Sequence, residues 1–287
     1  MKKLMKNYFL LAGLLIASVV NFVSCSGDAP TDKTIRLELN SSNYEDFNDE
    51  EIMSQYIGKE IYIHADETVD ASTINEVFDG AYGNISKWND ELNKWDSIYA
   101  TLDLSDSSAL SCNLSGNVRK VILPDECSYI YVINANILEE ILVSKDNIYF
   151  SSVDGILYDK GLTGLKAYPR ANKLEKLVLP STVTHFDNDL HQQQPSVTKE
   201  VVIPESFEGF LEWSFYRFSA LEKVVFKGTV PPAMKYDDRG AAFAECSDDI
   251  KFYVPKGCKQ AYVDAWADWY LHVGYAGDLA DRIVESD

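Results

Sequence analysis

The sequence lacks the residue patterns of the common catalytic and metal sites. Of its 287 residues five are cysteine and four are histidine, and it contains no CxxC pair, HExxH segment, GxSxG turn or phosphate-binding glycine loop. The acidic cluster Asp46–Glu51 departs from the DxDxDG calcium loop and is more typical of a solvated loop. The 45 acidic residues include no spacing that nominates a glycosidase pair. We therefore expect no catalytic residue, no cofactor and no metal.

A regular disulfide framework is also absent. Apart from Cys25, the cysteines are scattered along the chain at Cys112, Cys127, Cys246 and Cys258. In an exported protein such thiols can pair, or they can serve as small buried apolar side chains. We favour the second interpretation.

Basic residues are few. The chain has 26 lysines and arginines against 45 acidic residues, which gives a formal net charge of -19. Binding to nucleic acid or to anionic lipid headgroups needs Lys or Arg side chains that neutralise phosphates, so both partners are disfavoured. A hydrophobic content of 46% at this length supports a sizeable core, in one elongated domain or two compact ones.

The first residues contain no run long enough to span a membrane. The apolar segment Phe9–Val20 has only twelve residues, follows Lys2, Lys3 and Lys6, and leads to Ser24–Cys25, as in a secretory signal. The Ser24–Cys25 junction resembles a bacterial lipoprotein signal, in which cleavage before Cys25 allows acylation. An ordinary signal with an incidental cysteine is the alternative. We expect a signal peptide over 1–24, a membrane anchor on Cys25 and a tether over 25–36.

What the sequence does contain is a repeat. Apolar residues stand one, three and usually six positions before a reference position that is often proline. The repeats are YATLDLS (99–105), VRKVILP (118–124), LEEILVS (138–144), LEKLVLP (174–180), KEVVIP (199–204), LEKVVFK (221–227) and IKFYVP (250–255). Most of the intervals match a leucine-rich-repeat period. The long interval contains Asn147–Pro169, where Asp154–Gly155 predicts a hairpin that leaves the stack.

Three segments resemble the BspA-like leucine-rich-repeat family of bacterial surface proteins. They are LEKLVLPSTVTHF, the insert with FSSVDGILYDK, and the ending IKFYVPKGCKQAYVDAWADW. The resemblance covers residues 97–273 and implies a parallel solenoid on the cell exterior, with adhesion or partner binding as its role and no shared catalytic residues. Because the repeats are few and irregularly spaced, we do not expect a long, regular horseshoe.

Strand alternation predicts two rows of outward side chains. Residues one and three before the reference position would point inward, so those two and four before it would point outward. The outer charged row is Lys120, Glu140, Lys176, Glu200, Lys223 and Lys251. Its first five members alternate in sign, which favours a ladder of ion pairs between stacked strands. The alternative is a chance order of common surface residues.

The second outward row is apolar. It consists of Ile122, Leu142, Val178, Val202, Val225 and Tyr253. Three interpretations remain: a sheet covered on both faces, an exposed patch that binds a partner, or simple β-propensity. As the candidate binding face we take this row together with Lys176, Glu200 and Lys223.

The flanking segments differ in character from the repeats. Strand-like IRLEL and EIYIH precede a predicted helix over Thr73–Trp88, which a capping box of Thr73 and Glu76 would begin. Its apolar positions at helical spacing are Ile74, Val77, Phe78, Ala81, Ile85 and Trp88. A second predicted helix, Cys258–Leu271, would close the stack. Two aromatic groups have two interpretations, a sugar-stacking platform or burial in the core, and we favour burial. They are Trp266, Trp269 and Tyr270 on this helix, and Trp213, Phe215, Tyr216 and Phe218 before it.

The predicted fold is mainly β with short helices: a leucine-rich-repeat solenoid of parallel stacked strands. It has an α/β cap over 37–96, repeats over 97–258 with the insert at 147–169, and a cap helix and tail over 259–287. The predicted function is non-catalytic adhesion or protein-partner binding by a lipid-anchored protein on the outer membrane of a Gram-negative bacterium, with no nucleic-acid partner. The alternative is an accessory glycan-binding lipoprotein of a nutrient-capture system. An exposed aromatic pair would favour the glycan interpretation.

Overall fold

Short strands joined by turns make up most of the regular structure. The computed structural model describes residues 34–79, 81–187, 195–237, 240–273 and 275–286. The described strands are β1 (Ile35–Leu39), β2 (Glu60–Ala65), β3 (Ser86–Asn89), β4 (Lys94–Ser97), β5 (Tyr99–Asp103), β6 (Ser111–Leu114), β7 (Val118–Leu123), β8 (Tyr129–Val132), β9 (Glu140–Val143), β10 (Phe150–Val153), β11 (Ile156–Asp159), β12 (Gly164–Ala167), β13 (Lys176–Val178), β14 (His185–Phe186), β15 (Glu200–Ile203), β16 (Gly209–Phe210), β17 (Lys223–Phe226), β18 (Ala233–Met234), β19 (Tyr236–Asp237), β20 (Gly240–Ala241), β21 (Lys251–Pro255) and β22 (Ile283–Ser286).

Helices are fewer and mostly short. They are α1 (Tyr44–Phe47), α2 (Glu50–Ser54), α3 (Ala71–Asp79), α4 (Ala81–Asn84), α5 (Lys259–Val273) and α6 (Leu279–Arg282). The predicted closing helix is observed as α5. The protein is therefore mainly β with short helices, as expected.

The first parallel sheet has the strand order β1-β2-β5-β7-β9. The repeats at 99–105, 118–124 and 138–144 supply β5, β7 and β9, and they lie side by side in parallel. The two strands expected in the amino-terminal cap, β1 and β2, extend this same sheet. Their alternation is that of the repeats: Ile61 and Ile63 are buried while Tyr62 and His64 point to the other face.

The second parallel sheet has the order β13-β15-β17-β21-β22. The four later repeats supply its first four strands in register. The fifth strand, β22, comes from the segment expected to be a tail and pairs in parallel with β21. Stacked parallel strands therefore form both halves, which agrees with the predicted solenoid.

The insert is a hairpin, but it does not leave the stack. Strands β10 and β11 pair in antiparallel fashion around Asp154 and Gly155, whose φ values are 53° and 76°, the left-handed values that a two-residue hairpin turn requires. In β11, Ile156 and Tyr158 belong to the core under the second sheet, whereas Leu157 belongs to the core under the first. The expectation of an excursion is wrong, because alternate side chains of this strand fill two different cores.

The second core is rich in aromatic side chains. Phe215 and Phe243 stack at 5.2 Å between ring centroids, and Trp266 of α5 lies 5.1 Å from Phe226. Trp266, Trp269 and Tyr270 are buried, as are Phe215 and Phe218, so burial is confirmed over the sugar-platform alternative for these residues. The Trp266 indole N–H donates to the carbonyl of Pro232, which satisfies its polar group inside the core.

The predicted helix over Thr73–Trp88 is wrong in its second half. Helix α3 ends at Asp79, α4 ends at Asn84, and Trp88 lies on β3. Ile74, Val77 and Phe78 are buried as expected. The capping box is also wrong, because the Asp70 carboxylate accepts the hydrogen bond from the Thr73 N–H. The helical spacing of Ile85 and Trp88 was coincidental, since pairing with β4 makes that segment a strand.

The described cysteines are unpaired. Cys112, Cys127 and Cys246 are buried and Cys258 is half-buried. Burial raises the pKa of Cys246 to about 12, so its thiol is neutral and unreactive. The structure agrees with a role as small apolar side chains. Cys25 and the predicted signal peptide lie outside the described residues, and none of the described helices is long and apolar enough to cross a membrane.

Candidate binding surfaces

The predicted ion-pair ladder is present on the second sheet. Lys176, Glu200 and Lys223 occupy directly paired positions on β13, β15 and β17. The Glu200 carboxylate lies 2.9 Å from Lys176 Nζ and 3.3 Å from Lys223 Nζ. The hydrogen bond with Lys176, assisted by Lys223, lowers the pKa of Glu200. The ladder ends there, because Lys251 follows Lys223 with a charge of the same sign.

The first sheet carries a separate rung of this ladder. Lys120 Nζ lies 3.1 Å from the Glu140 carboxylate on the neighbouring strand. Glu140 does not pair with Lys176, because β9 and β13 belong to different sheets with the insert between them. The alternation of sign across the insert therefore has no structural counterpart.

The apolar row of the second sheet is in register and graded in exposure. Val178, Val202, Val225 and Tyr253 are successive partners across β13, β15, β17 and β21, and Val284 of β22 continues the row. Val178, on the edge strand, is 55% exposed, whereas Val225 in the centre is 8% exposed. Lys223 Nζ lies 5.1 Å from the ring centroid of Tyr253. We call Val178, Val202, Val225 and Tyr253, together with Lys176, Glu200 and Lys223, the strand patch.

Ile122 and Leu142 are not part of the strand patch. They pair with each other on β7 and β9 and are half-buried. On the opposite side Ile122 pairs with Asp103 rather than with another apolar residue. The structure thus divides the nine candidate residues between two sheets.

A polar cluster on the first sheet was missed by the sequence analysis. The Tyr62 hydroxyl donates to Asp103 Oδ2, His64 Nδ1 lies 3.8 Å from the same oxygen, and His64 Nε2 lies 3.5 Å from Asp106. Burial opposes ionisation of Asp103, but hydrogen bonds from His64, Tyr62 and Ser105 outweigh it and lower the pKa of Asp103 to about 2. The Asp103 carboxylate in turn raises the pKa of His64, against the opposing effect of burial. Only the alternation of EIYIH and YATLD hinted that these side chains share a face.

An exposed tryptophan pair was also missed. Trp88 and Trp95 face each other across the β3–β4 hairpin, with ring centroids 5.7 Å apart and planes at 74°. They are 41% and 62% exposed. On the opposite, polar face Lys87 is exposed, and the buried Asp96 accepts hydrogen bonds from Asn89 and Tyr99. The two indoles of the hairpin are therefore open to solvent. We call Ser86–Ser97 the indole hairpin.

A polar cavity of about 460 Å³ lies at the base of the indole hairpin. Helices α3 and α4 contribute Phe78, Asp79, Gly83 and Asn84, and the hairpin strands contribute Ser86 and Ser97. Two loops of the stack contribute Ser115, Gly116, Asn117, Ile133, Asn134, Asn136 and Ile137. Asn117 donates to the Ile85 carbonyl at 2.7 Å and so ties the stack to the start of the hairpin. Gly116 has a φ of 61°, and a Cβ there would lie 1.7 Å from the Gly83 carbonyl oxygen. Only glycine permits this approach of the two walls.

Metal ligation has no candidate in the described part of the chain. No group of three or more His, Cys, Asp or Glu side chains is placed there to hold an ion.

Comparison with known proteins gives only weak likenesses. No protein-family model matches the chain, and no curated protein matches it. The structure is similar to that of a leucine-rich repeat protein from Eubacterium ventriosum, with a TM-score of 0.34 and 12% identity over 79% of this chain and 73% of that chain. It is also similar to the pneumococcal vaccine antigen PcpA, with a TM-score of 0.32 and 12% identity over 80% of each chain. Likenesses this weak carry no argument, so the fold assignment depends on the strand pairing described above.

Proposed function

We propose that this protein is a non-catalytic surface protein that binds a protein partner through the strand patch. The observation that supports it is the row of valines and Tyr253 in register beside an ion-paired row of lysine and glutamate. An apolar strip edged by charged groups has the composition of a protein interface, in which apolar contact supplies affinity and the polar rim supplies register.

The location we propose is the outer surface of a bacterial outer membrane, with acyl chains on Cys25 as the anchor. The basis is the Ser24–Cys25 junction after a short apolar run. Because the formal charge is -19, the chain would not be attracted to anionic headgroups, and a lipid anchor would have to provide attachment.

The strand patch is tested by a matched pair of valine substitutions. Val202→Glu places a charge within the strand patch, on β15, while Val230→Glu makes the same change at a valine elsewhere that is 78% exposed. Surface crosslinking on intact cells should join the wild-type chain to its protein partner. The crosslinked product should be lost with Val202→Glu and kept with Val230→Glu. Equal retention by both variants would show that the patch is not the interface.

Glycan binding is a second candidate function. A specific observation favours it: Trp88 and Trp95 form an exposed aromatic pair, which the strand patch does not explain.

A further inference from the structure

We propose that the indole hairpin and the polar cavity at its base form one binding site for a neutral oligosaccharide. This inference rests on the glycan-binding candidate function and does not depend on the strand patch. It joins two features, the exposed tryptophan pair and the cavity, through the geometry of a single hairpin.

The two features lie on the same face of the hairpin. Ser86 pairs with Ser97 and Trp88 pairs with Trp95 in the antiparallel register. Positions two apart on a strand share a face, so the two serines and the two indoles point the same way, separated by about 7 Å along the strands. Ser86 and Ser97 line the cavity, and the tryptophans, which are not lining residues themselves, come next along the same face of the hairpin.

The cavity lining selects for a neutral, hydroxyl-rich ligand. Its polar groups are the amides of Asn84, Asn117, Asn134 and Asn136 and the hydroxyls of Ser86, Ser97 and Ser115. Within the protein the Asn84 and Asn117 amides donate to backbone carbonyls and the Asn136 amide oxygen accepts from Arg170. Amides and hydroxyls both donate and accept, which matches the hydroxyl groups of a sugar. Within the described part of the chain the three serine hydroxyls make no hydrogen bond, so a ligand can use them. Asp79 is the one charged side chain among the described lining residues. Arg170 lies outside the lining, where its guanidinium donates to Asn136 Oδ1 at 2.7 Å.

The tryptophans supply the apolar half of such a site. The C–H face of a pyranose ring packs on an indole face, and the edge-to-face contact between Trp88 and Trp95 holds the rings in position before a ligand arrives. Large, rigid side chains lose little conformational entropy on binding. The cavity volume of about 460 Å³ falls in the range of small-ligand sites.

The experiment titrates the full mature chain with neutral tetrasaccharides of α- and β-linked glucose, xylose and mannose, and with an oligogalacturonate as the acidic counterpart. We expect at least one neutral tetrasaccharide to bind. Trp95→Ala removes one indole of the pair, and Ser86→Phe fills the cavity. Each variant should weaken binding by about tenfold or more. Tyr149→Ala, at another exposed aromatic residue, should leave it unchanged.

A second measurement uses the wild-type chain, so it does not depend on the folding of any variant. In nuclear magnetic resonance spectra the indole N–H signals of Trp88 and Trp95 should shift on titration, while those of the buried Trp266 and Trp269 should not. No binding by any neutral tetrasaccharide, preference for the acidic one, or binding that moves neither exposed indole would overturn the proposal. Val202→Glu should bind the sugar normally, so failure of the strand-patch proposal is distinguishable from failure of this one.

Discussion

His64 and Asp103 occupy directly paired positions on β2 and β5, and the imidazole Nδ1 lies 3.8 Å from the carboxylate. The pKa of His64 is raised and that of Asp103 is lowered to about 2, so the pair is stable as imidazolium and carboxylate. These two polar side chains, mostly buried on the outward face of adjacent strands, thus make the stability of the first sheet depend on pH.

The first prediction concerns that dependence. The raised pKa of His64 stabilises the fold fully below its unfolded value of 6.5, and this contribution is lost as the pH rises through the folded pKa. The lowered pKa of Asp103 stabilises the fold above its unfolded value of 3.8, and this contribution is lost as the pH falls through about 2. Urea unfolding should therefore give the largest free energy difference between wild type and Asp103→Asn, about 2 kcal/mol, between pH 4 and 6.

The control for this prediction is His64→Asn, which removes the imidazolium and keeps Asp103. Its stability relative to wild type should recover as the pH rises through the folded pKa of His64, because the wild-type pair loses its positive partner there. A difference that stays constant from pH 5 to 9 would contradict the assignment.

The second prediction contrasts two neighbouring positions of one repeat pattern. Leu179 is 3% exposed and points into the aromatic core, so Leu179→Ala should lower the free energy of unfolding by about 2–5 kcal/mol. Val202→Glu, at a half-buried outward position, should cost much less and leave the circular dichroism spectrum unchanged. If Val202→Glu unfolds the protein as severely, the strand patch is an internal surface.

The third prediction concerns Arg282, a buried arginine held by neutral acceptors. Its guanidinium donates to the carbonyls of Asp248, Ile250 and Ala276 and to the Tyr270 hydroxyl. Arg282→Leu removes this donor from the Asp248 and Ile250 carbonyls, while the Ala276 carbonyl keeps the Tyr270 hydroxyl as a donor, and it should lower the free energy of unfolding by about 3 kcal/mol. Arg217→Leu, which breaks an exposed pair with Glu245, is the matched control and should cost less than about 1 kcal/mol. Equal losses in the two variants would be the contrary result.

The fourth prediction concerns Asn147, the buried residue where the insert begins. Its amide donates to the carbonyls of Pro124 and Cys127 and accepts from the backbone N–H groups of Tyr149 and Phe150. Asn147→Ala leaves four backbone groups, most of them buried, without these partners, so thermal unfolding should report a loss of about 3 kcal/mol. Asn113→Ala, at an exposed strand position, should be close to neutral. Near-neutral behaviour of Asn147→Ala would mean that water replaces the amide.

The fifth prediction concerns the anchor. Cells expressing the wild-type chain should incorporate labelled fatty acid into it, and Cys25→Ala should abolish the label and release the protein or leave its precursor uncleaved. A wild-type chain that takes up no label would exclude lipidation. Protease treatment of intact cells would then show whether the domain faces outward.

The strand register could be predicted from the sequence because it is a local property. A two-residue alternation fixes which face each side chain takes, so the pairing of Lys176 with Glu200 and of Val178 with Val202 followed from aligning the repeats. The burial of Trp266 and Trp269 followed in the same way from an apolar helix beside the last repeat. These features require only the pattern within a segment and the order of neighbouring segments.

Tertiary packing decided the rest. The insert lies between the cores because Leu157 and Tyr158 find apolar partners on opposite sides, and nothing local to β11 specifies those partners. Trp88 lies on a strand and not on the predicted helix, because its segment pairs with the strand that carries Trp95. The sequence is equally compatible with a helical pattern there, and only the pairing decides between the two. The cavity exists only where Gly116 and Gly83 meet, and Asp103 meets His64 only across a strand pair. The sequence by itself determined the faces of the strands, whereas the candidate sites depend on contacts between residues far apart in the chain, which only the folded structure brings together.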